Sequence, residues 1–427
     1  MKQLTSINKK VFFILLISLF INDARSQETT TLFMGGTAHL GNGEEIKNSI
    51  ISIKNGKFDI VADATKIRID PNAFDTIIKI YGKHIYPTFI APNTTLGITE
   101  IDAVRATRDY DEVGDFNPNV RSLIAFNTDS KILTTVRTNG VLITQSTPRG
   151  GIISGSSSVI HLDGSNWEDA VLKSDDGIHL NWPSSYHTHG WWANPGGTTE
   201  NKKYDEKVLK IKNYFEKARA YYERNDKIDI RLESTKGLFN GKRILYIHAN
   251  YARDIKKSIR YFKNIGVEKI VIVGGKDALN AITILKENSI PIILERVHSL
   301  PVNEDAAIDQ FYTLPSKLQE EGILFCLSYS GDMEAMGTRN LPFTAGTCVT
   351  YGLDKELAIS ALSLNTAIIM GVDKHVGSIE TGKNATFFIS SGDALDMKTN
   401  NVEAAFINGQ SIDLNNHQKD LFRKYND

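Results

Sequence analysis

The sequence predicts an α/β fold in which a middle of alternating strands and helices is flanked by two β-rich ends. Three observations predict it. Apolar strand-like runs alternate with helical periods between residues 86 and 376. Residues 31–85 and 377–412 instead hold short alternating runs broken by Gly and Asn-Gly. After residue 26 no segment is long and apolar enough to span a bilayer. Strands alternating with helices imply parallel pairing with crossover connections.

The first 26 residues read as a targeting segment. Lys2, Lys9 and Lys10 precede the apolar run Val11–Ile21, and Ala24 and Ser26 fit small-residue cleavage positions. An apolar run this short does not span a membrane comfortably. No Cys follows it, which argues against a lipid anchor. The mature protein is therefore expected to be exported, periplasmic or extracellular, with no membrane span. Removing this segment lowers the net charge from −1 by its own +3. The mild negative balance that remains argues against nucleic-acid binding. Cys326 lies in an apolar strand-like run and Cys348 in a predicted helix. Both read as small core residues rather than a bridge.

Residues 27–85 begin the β-rich part, with Asn55-Gly56 as a hairpin turn between IISIK and KFDIV. Residues 377–427 answer it, with Asn408-Gly409 as a second such turn. In the middle, strands are predicted at Ile85–Ala91, Val141–Thr147, Ser157–Asp163, Ile244–Ala249, Lys269–Val273, Ile290–Leu294 and Ile323–Ser328. Helical periods cover Tyr251–Ile265, Lys276–Asn288 and Ala306–Glu321. That makes seven strands, one short of an eight-stranded barrel. Residues from about 164 to 240 read as an insertion with an aromatic HTHGWW and a charged helix near Lys202–Asn225.

Tyr86–Gly97, YPTFIAPNTTLG, resembles the first-strand motif P-G-x-I-D-x-H-x-H-x-G of the amidohydrolase superfamily. Pro87, Ile90 and Gly97 keep its frame, whereas Ala91 replaces the Asp and Asn93 and Thr95 replace the two metal-binding histidines. His248-Ala249 at a strand end resembles the fifth-strand motif, and Arg253-Asp254-Ile255 is similar to the imidazolonepropionase-like subgroup. Val376-Gly377-Ser378, Gly382-Lys383 and Ala385 resemble the C-terminal signature V-G-S-x-x-x-G-K-x-A. Ala358–Gly371 resembles the helical signature that precedes it, with Ser363 in place of Thr. The resemblance implies a (β/α)8 TIM-type barrel over 86–376 and one small composite β-sandwich made by 27–85 and 377–427.

The same resemblance implies a hydrolase acting on C–N bonds of cyclic amides, ureides or dipeptide-like substrates. It implies Asp332 as general base and His248 as metal ligand or oxyanion donor. Zinc or another single divalent metal on His248 and Asp332, or none, is expected, because neutral Asn and Thr oxygens are poor zinc ligands. Asn93 and Thr95 then contact substrate, or cap and pack. Gly274-Gly275 stands where many relatives have a sixth-strand His, and either cradles an anion or forms a tight turn. The loop Gly150–Asp163 is read as a connection. His187-Thr188-His189 is the chain's only H-x-H, and needs a third ligand to hold metal. Glu100, Asp102, Arg105, Arg108 and Asp109 read as a solvated face. Expected partners are a small-molecule substrate or ligand, and a second copy or an active paralogue. The alternative function is a catalytically silent relative that binds a ligand or a partner subunit.

Overall fold

The computed structural model describes residues 30–191, 194–224, 227–301 and 306–426. The stretch expected to be a targeting segment lies outside the described residues. No helix among them is long and apolar enough to cross a membrane.

Seven strands open the described residues: β1 (Thr30–Met34), β2 (Thr37–His39), β3 (Glu45–Ile46), β4 (Ser49–Lys54), β5 (Lys57–Asp63), β6 (Thr76–Lys79) and β7 (His84–Pro87). Four more follow: β8 (Phe89–Thr94), β9 (Val141–Ser146), β10 (Ile153–His161) and β11 (Val171–Asn181). The hairpin β12 (Tyr186–Trp191) and β13 (Asn194–Glu200) precedes β14 (Ile244–Ala249), β15 (Ile270–Gly274), β16 (Ile292–Leu294) and β17 (Phe325–Leu327). The last strands are β18 (Phe387–Ser390), β19 (Val402–Ile407) and β20 (Gln410–Ser411).

Both ends of the chain build one sandwich. One sheet runs β5-β4-β1-β6, the other β20-β19-β18-β7-β2-β3. Phe33, Ile51, Phe58, Ile85, Phe387 and Ile389 fill the space between them. Phe33 meets the edge of Phe387, and Phe387 stacks on Phe406 at 4.7 Å. Aromatic burial of this kind contributes several kcal/mol. Phe387→Ala should therefore cost about 3–5 kcal/mol in urea-monitored stability. A loss below about 1 kcal/mol would mean the sandwich does not depend on this contact.

The remaining large sheet has eight strands in the order β17-β16-β15-β14-β11-β10-β9-β8. Its end strands β17 and β8 both pack against the helices Lys355–Leu362 and Leu364–Met370, so the sheet curls into a nearly closed barrel. Period-two alternation sorts the side chains. Ile244 and Tyr246 of β14 cluster with Val271, Val273, Ile293 and Cys326. Leu245 and Ile247, between them in sequence, join the core under the outer helices.

Three departures from expectation follow from the connections and the pairing. The eighth strand is β11, inside the stretch read as an insertion, so the insertion before β14 is shorter than 164–240. Further, β10 runs antiparallel to both β9 and β11. Residues 147–152 and 162–170 are too few for a crossover helix, which a parallel neighbour requires. The run Ile85–Ala91 is also two strands, since β7 belongs to the sandwich and β8 to the barrel. Cys326 and Cys348 are buried and free, and burial pushes both thiols up to about 12.

Candidate functional site at the barrel mouth

Asn93, His248 and Gly274 stand at strand C-terminal ends, where barrels of this kind carry their chemistry. Asn93 is buried and takes a left-handed backbone, φ 51°. Four residues on, Gly97 has φ +75° and a Cβ there would sit 2.3 Å from the Phe126 ring, so only glycine fits this turn.

Arg149 holds Asn93. Its Nη1 donates to Asn93 Oδ1 at 3.0 Å and its Nη2 to the Asn93 carbonyl at 2.8 Å. The same guanidinium donates through Nε and Nη2 to Glu334 Oε1 at 3.1 and 2.8 Å. Glu334 is buried, and its Oε2 accepts the Gly331 N–H. A fixed cation thus sits against Asn93 at the end of β8. Thr95 is buried, and its Oγ1 has no partner among the described residues.

His248 shares the inward phase of β14 with Ile244 and Tyr246, and is half-buried. A chain of hydrogen bonds runs inward from it. His248 Nε2 lies 2.9 Å from His179 Nδ1, and His179 Nε2 lies 2.9 Å from Ser157 Oγ. Ser157 donates to Asp176 Oδ1 at 2.7 Å, while Tyr246 and Gln145 donate to Asp176 Oδ2 at 2.7 and 2.8 Å. Gln145 Oε1 in turn accepts the Asn93 N–H. Because the Ser157 hydroxyl is spent on Asp176, Ser157 accepts from His179 Nε2–H. His179 Nδ1 then accepts from His248 Nε2–H. The buried carboxylate therefore sets the tautomer of both histidines. Burial first, then the Arg149 charge, pushes His248 down to about 3. Burial, His248 and Arg149 push His179 well below its ordinary value. Both rings are neutral at pH 7.

Outward, His248 borders a cavity of about 620 Å³. Trp182, Asn250, Tyr251, Asp254, Lys276 and Glu295 also line it. Lys276 Nζ faces Glu295 at 3.3 Å, and Asp254 accepts from Ser185 N and Oγ at 2.9 and 3.1 Å. Burial raises the Asp254 carboxyl.

The other expected site residues lie elsewhere or are already engaged. Asp332 is exposed and close enough to Asp102 to help raise its carboxyl. Glu334, two residues later, is the carboxylate that turns inward. The Gly275 N–H donates to the Ala249 carbonyl and the Lys276 N–H to Asn250 Oδ1, so Gly274-Gly275 forms a turn rather than an open anion cradle. His187 and His189 are exposed on the β12–β13 hairpin, and His189 Nε2 pairs with Thr199 Oγ1 at 2.7 Å. Arg149, Glu334, His179 and Asp176 were not singled out from sequence. A Pro-Arg-Gly-Gly turn and a Glu beside the expected Asp were their only signals.

Residues 239–412 match the amidohydrolase family. The fold is that of the amidohydrolases. An amidohydrolase from Thermotoga maritima MSB8 is 24% identical, with 90% of this chain and 99% of that chain covered, at a TM-score of 0.76. A Xaa-Pro dipeptidase with bound methionine in its active site is 14% identical, covering 90% and 100%, at 0.55. An ochratoxinase from A. niger is 12% identical, covering 90% and 96%, at 0.55. Comparison with the curated proteins found no match.

Amidohydrolases usually bind a divalent metal, and the residues at this mouth do not fit one. Asn93 and Thr95 offer neutral oxygens, and Gly274 and Gly275 offer no side chain. The Nε2 of His248 is committed to His179, and the Arg149 guanidinium already supplies positive charge. Zinc sites need histidine, cysteine or carboxylate donors in convergent geometry. Among the described residues, no group of three such ligands gathers at the barrel mouth.

Proposed function

We propose that this protein is an exported amidohydrolase relative whose barrel mouth binds a small polar ligand without the family's metal. The observation that carries the reading is the Arg149 guanidinium clamped between Asn93 and Glu334. A metal there would meet a fixed like charge, and the one buried carboxylate beside it, Glu334, is already spent on that charge. The cavity bordered by His248 remains large enough for a dipeptide-sized molecule, and its mixture of Trp182, Asn250, Lys276 and Glu295 suits a ligand with both polar and apolar parts. Such a protein acts as a ligand-binding unit, alone, as a homo-oligomer, or paired with an active paralogue.

One observation favours the second reading, hydrolysis of a C–N bond by an impaired site. His248 is a neutral imidazole held from behind by His179 and bordering the cavity, the placement of a general base, although its depression to about 3 makes it a weak one. The two readings part in one experiment. Purified mature protein is incubated with cyclic amides, ureides and Xaa-Pro dipeptides, with and without added zinc. Thermal shift reports binding and amine release reports turnover. The expected result is a ligand-dependent rise in melting temperature without turnover. Turnover that disappears in His248→Ala would replace the silent reading with the hydrolase.

A further inference from the structure

We infer that the protein carries a divalent transition-metal site away from the barrel mouth, on His39, Glu45 and Glu356, with zinc as its simplest occupant. His39 and Glu45 are directly opposed across the antiparallel pair β2–β3. Glu356 comes from the first turn of the helix Lys355–Leu362. One ligand atom from each of the three lies within 4.8 Å of the others. Among the described residues, no second group of His, Cys or carboxylate ligands converges in this way.

The surroundings are those of an ordered ligand set. His39 is 2% exposed, and its ring stacks on Tyr86 at 4.3 Å. Its Nε2 lies 3.1 Å from His84 Nδ1. Its Nδ1 lies at hydrogen-bond distance, 2.7 Å, from Glu356 Oε1. With Nε2 donating to His84 instead, Nδ1 would turn its lone pair to a bound cation in place of that hydrogen bond. An imidazole hydrogen-bonded behind a ligating histidine, fixing its tautomer, is a recurrent feature of metal centres. The other Glu356 oxygen, Oε2, is buried and has no hydrogen-bond partner among the described residues. That orphaned oxygen is the independent sign of a missing cation, because a buried carboxylate oxygen left unpaired is costly. One histidine and two carboxylates suit zinc, leaving an open position for water. The competing arrangement is His39 donating Nδ1–H to Glu356 Oε1 with no ion present.

Such an ion would join the β2–β3 hairpin of the sandwich to the helix that packs on both end strands of the barrel. Its role is to hold the sandwich and barrel together. The site and the barrel mouth are independent, and the same metal analysis separates them. Mature protein is loaded with zinc, dialysed, and assayed for metal content and melting temperature. The expected result is one zinc per chain, kept in His248→Ala and His187→Ala but lost in His39→Ala. Glu356→Gln and Glu45→Gln, which preserve shape, should weaken zinc binding at least tenfold while the fold persists. Zinc should raise the melting temperature of the wild type and not of Glu356→Gln. Absence of retained zinc overturns this site and leaves the metal-free mouth standing. Zinc lost with His248→Ala overturns both. Zinc lost with His187→Ala places it on the surface hairpin and overturns this site alone.

Discussion

Arg149→Ala is expected to destabilise the protein by about 3 kcal/mol, the usual scale for stripping a buried charge of its partner. Glu334 is the group left behind, with its side chain only 10% exposed. Asn93 loses two donors to its carbonyl and side chain at the same time. The pair is not an ordinary surface bridge, because Arg149 is itself largely covered and makes bonds on three sides. Glu334→Gln in the Arg149→Ala background should recover part of the loss, since it removes the uncompensated charge. A urea double-mutant cycle measures the coupling. A loss below about 1 kcal/mol would show that the bridge behaves like an exposed one. Removal of the guanidinium should also raise the pKa of His248, since Arg149 is the second cause of its depression after burial. Imidazole titration by NMR reads this directly.

Acidification should destabilise the fold well before the carboxylates titrate. His161 is 5% exposed in β10 and burial lowers it to about 4, with Asp163 opposing. His248 is lowered to about 3, and His179 lies well below its ordinary value. In the unfolded chain each returns to about 6.5. The unfolded state therefore binds more protons below that pH, and stability falls as pH falls. The contribution is complete above the unfolded value and is lost as pH drops through it toward the folded values. Between pH 7 and pH 5 a fully buried histidine loses roughly 2 kcal/mol. His248, which reaches the cavity, should contribute less. Urea denaturation at the two pH values checks the sum. His161→Leu should flatten the dependence, and a stability unchanged from pH 7 to pH 5 would refute the neutral-histidine core.

Much of the architecture was legible because it is written in local pattern. Asn55-Gly56 and Asn408-Gly409 declare hairpins through backbone conformations that Asn and Gly adopt cheaply. The helix at Ala252–Asn264 and the strands around it follow from hydrophobic period. Strand β11 was hidden for the opposite reason. It follows a connection too short to hold a crossover helix, so no alternation of helix and strand leads into it. Its polar VLKSDDG half also lacks the apolar density of β14 or β15.

The site divides the same way. The sequence alone determined which groups stand at the ends of β8, β14 and β15: Asn93, His248, and a glycine pair. Those identities are positional within a strand and need no partner to be read. What joins them was decided by tertiary structure. Arg149 meets Glu334 across 185 residues and His179 meets His248 across 69. His39 meets Glu356 across 317. No local propensity encodes such pairings. They exist because barrel closure and the composite sandwich bring distant strands to one mouth and one seam. Burial then makes each charge or imidazole depend on the partner it finds there.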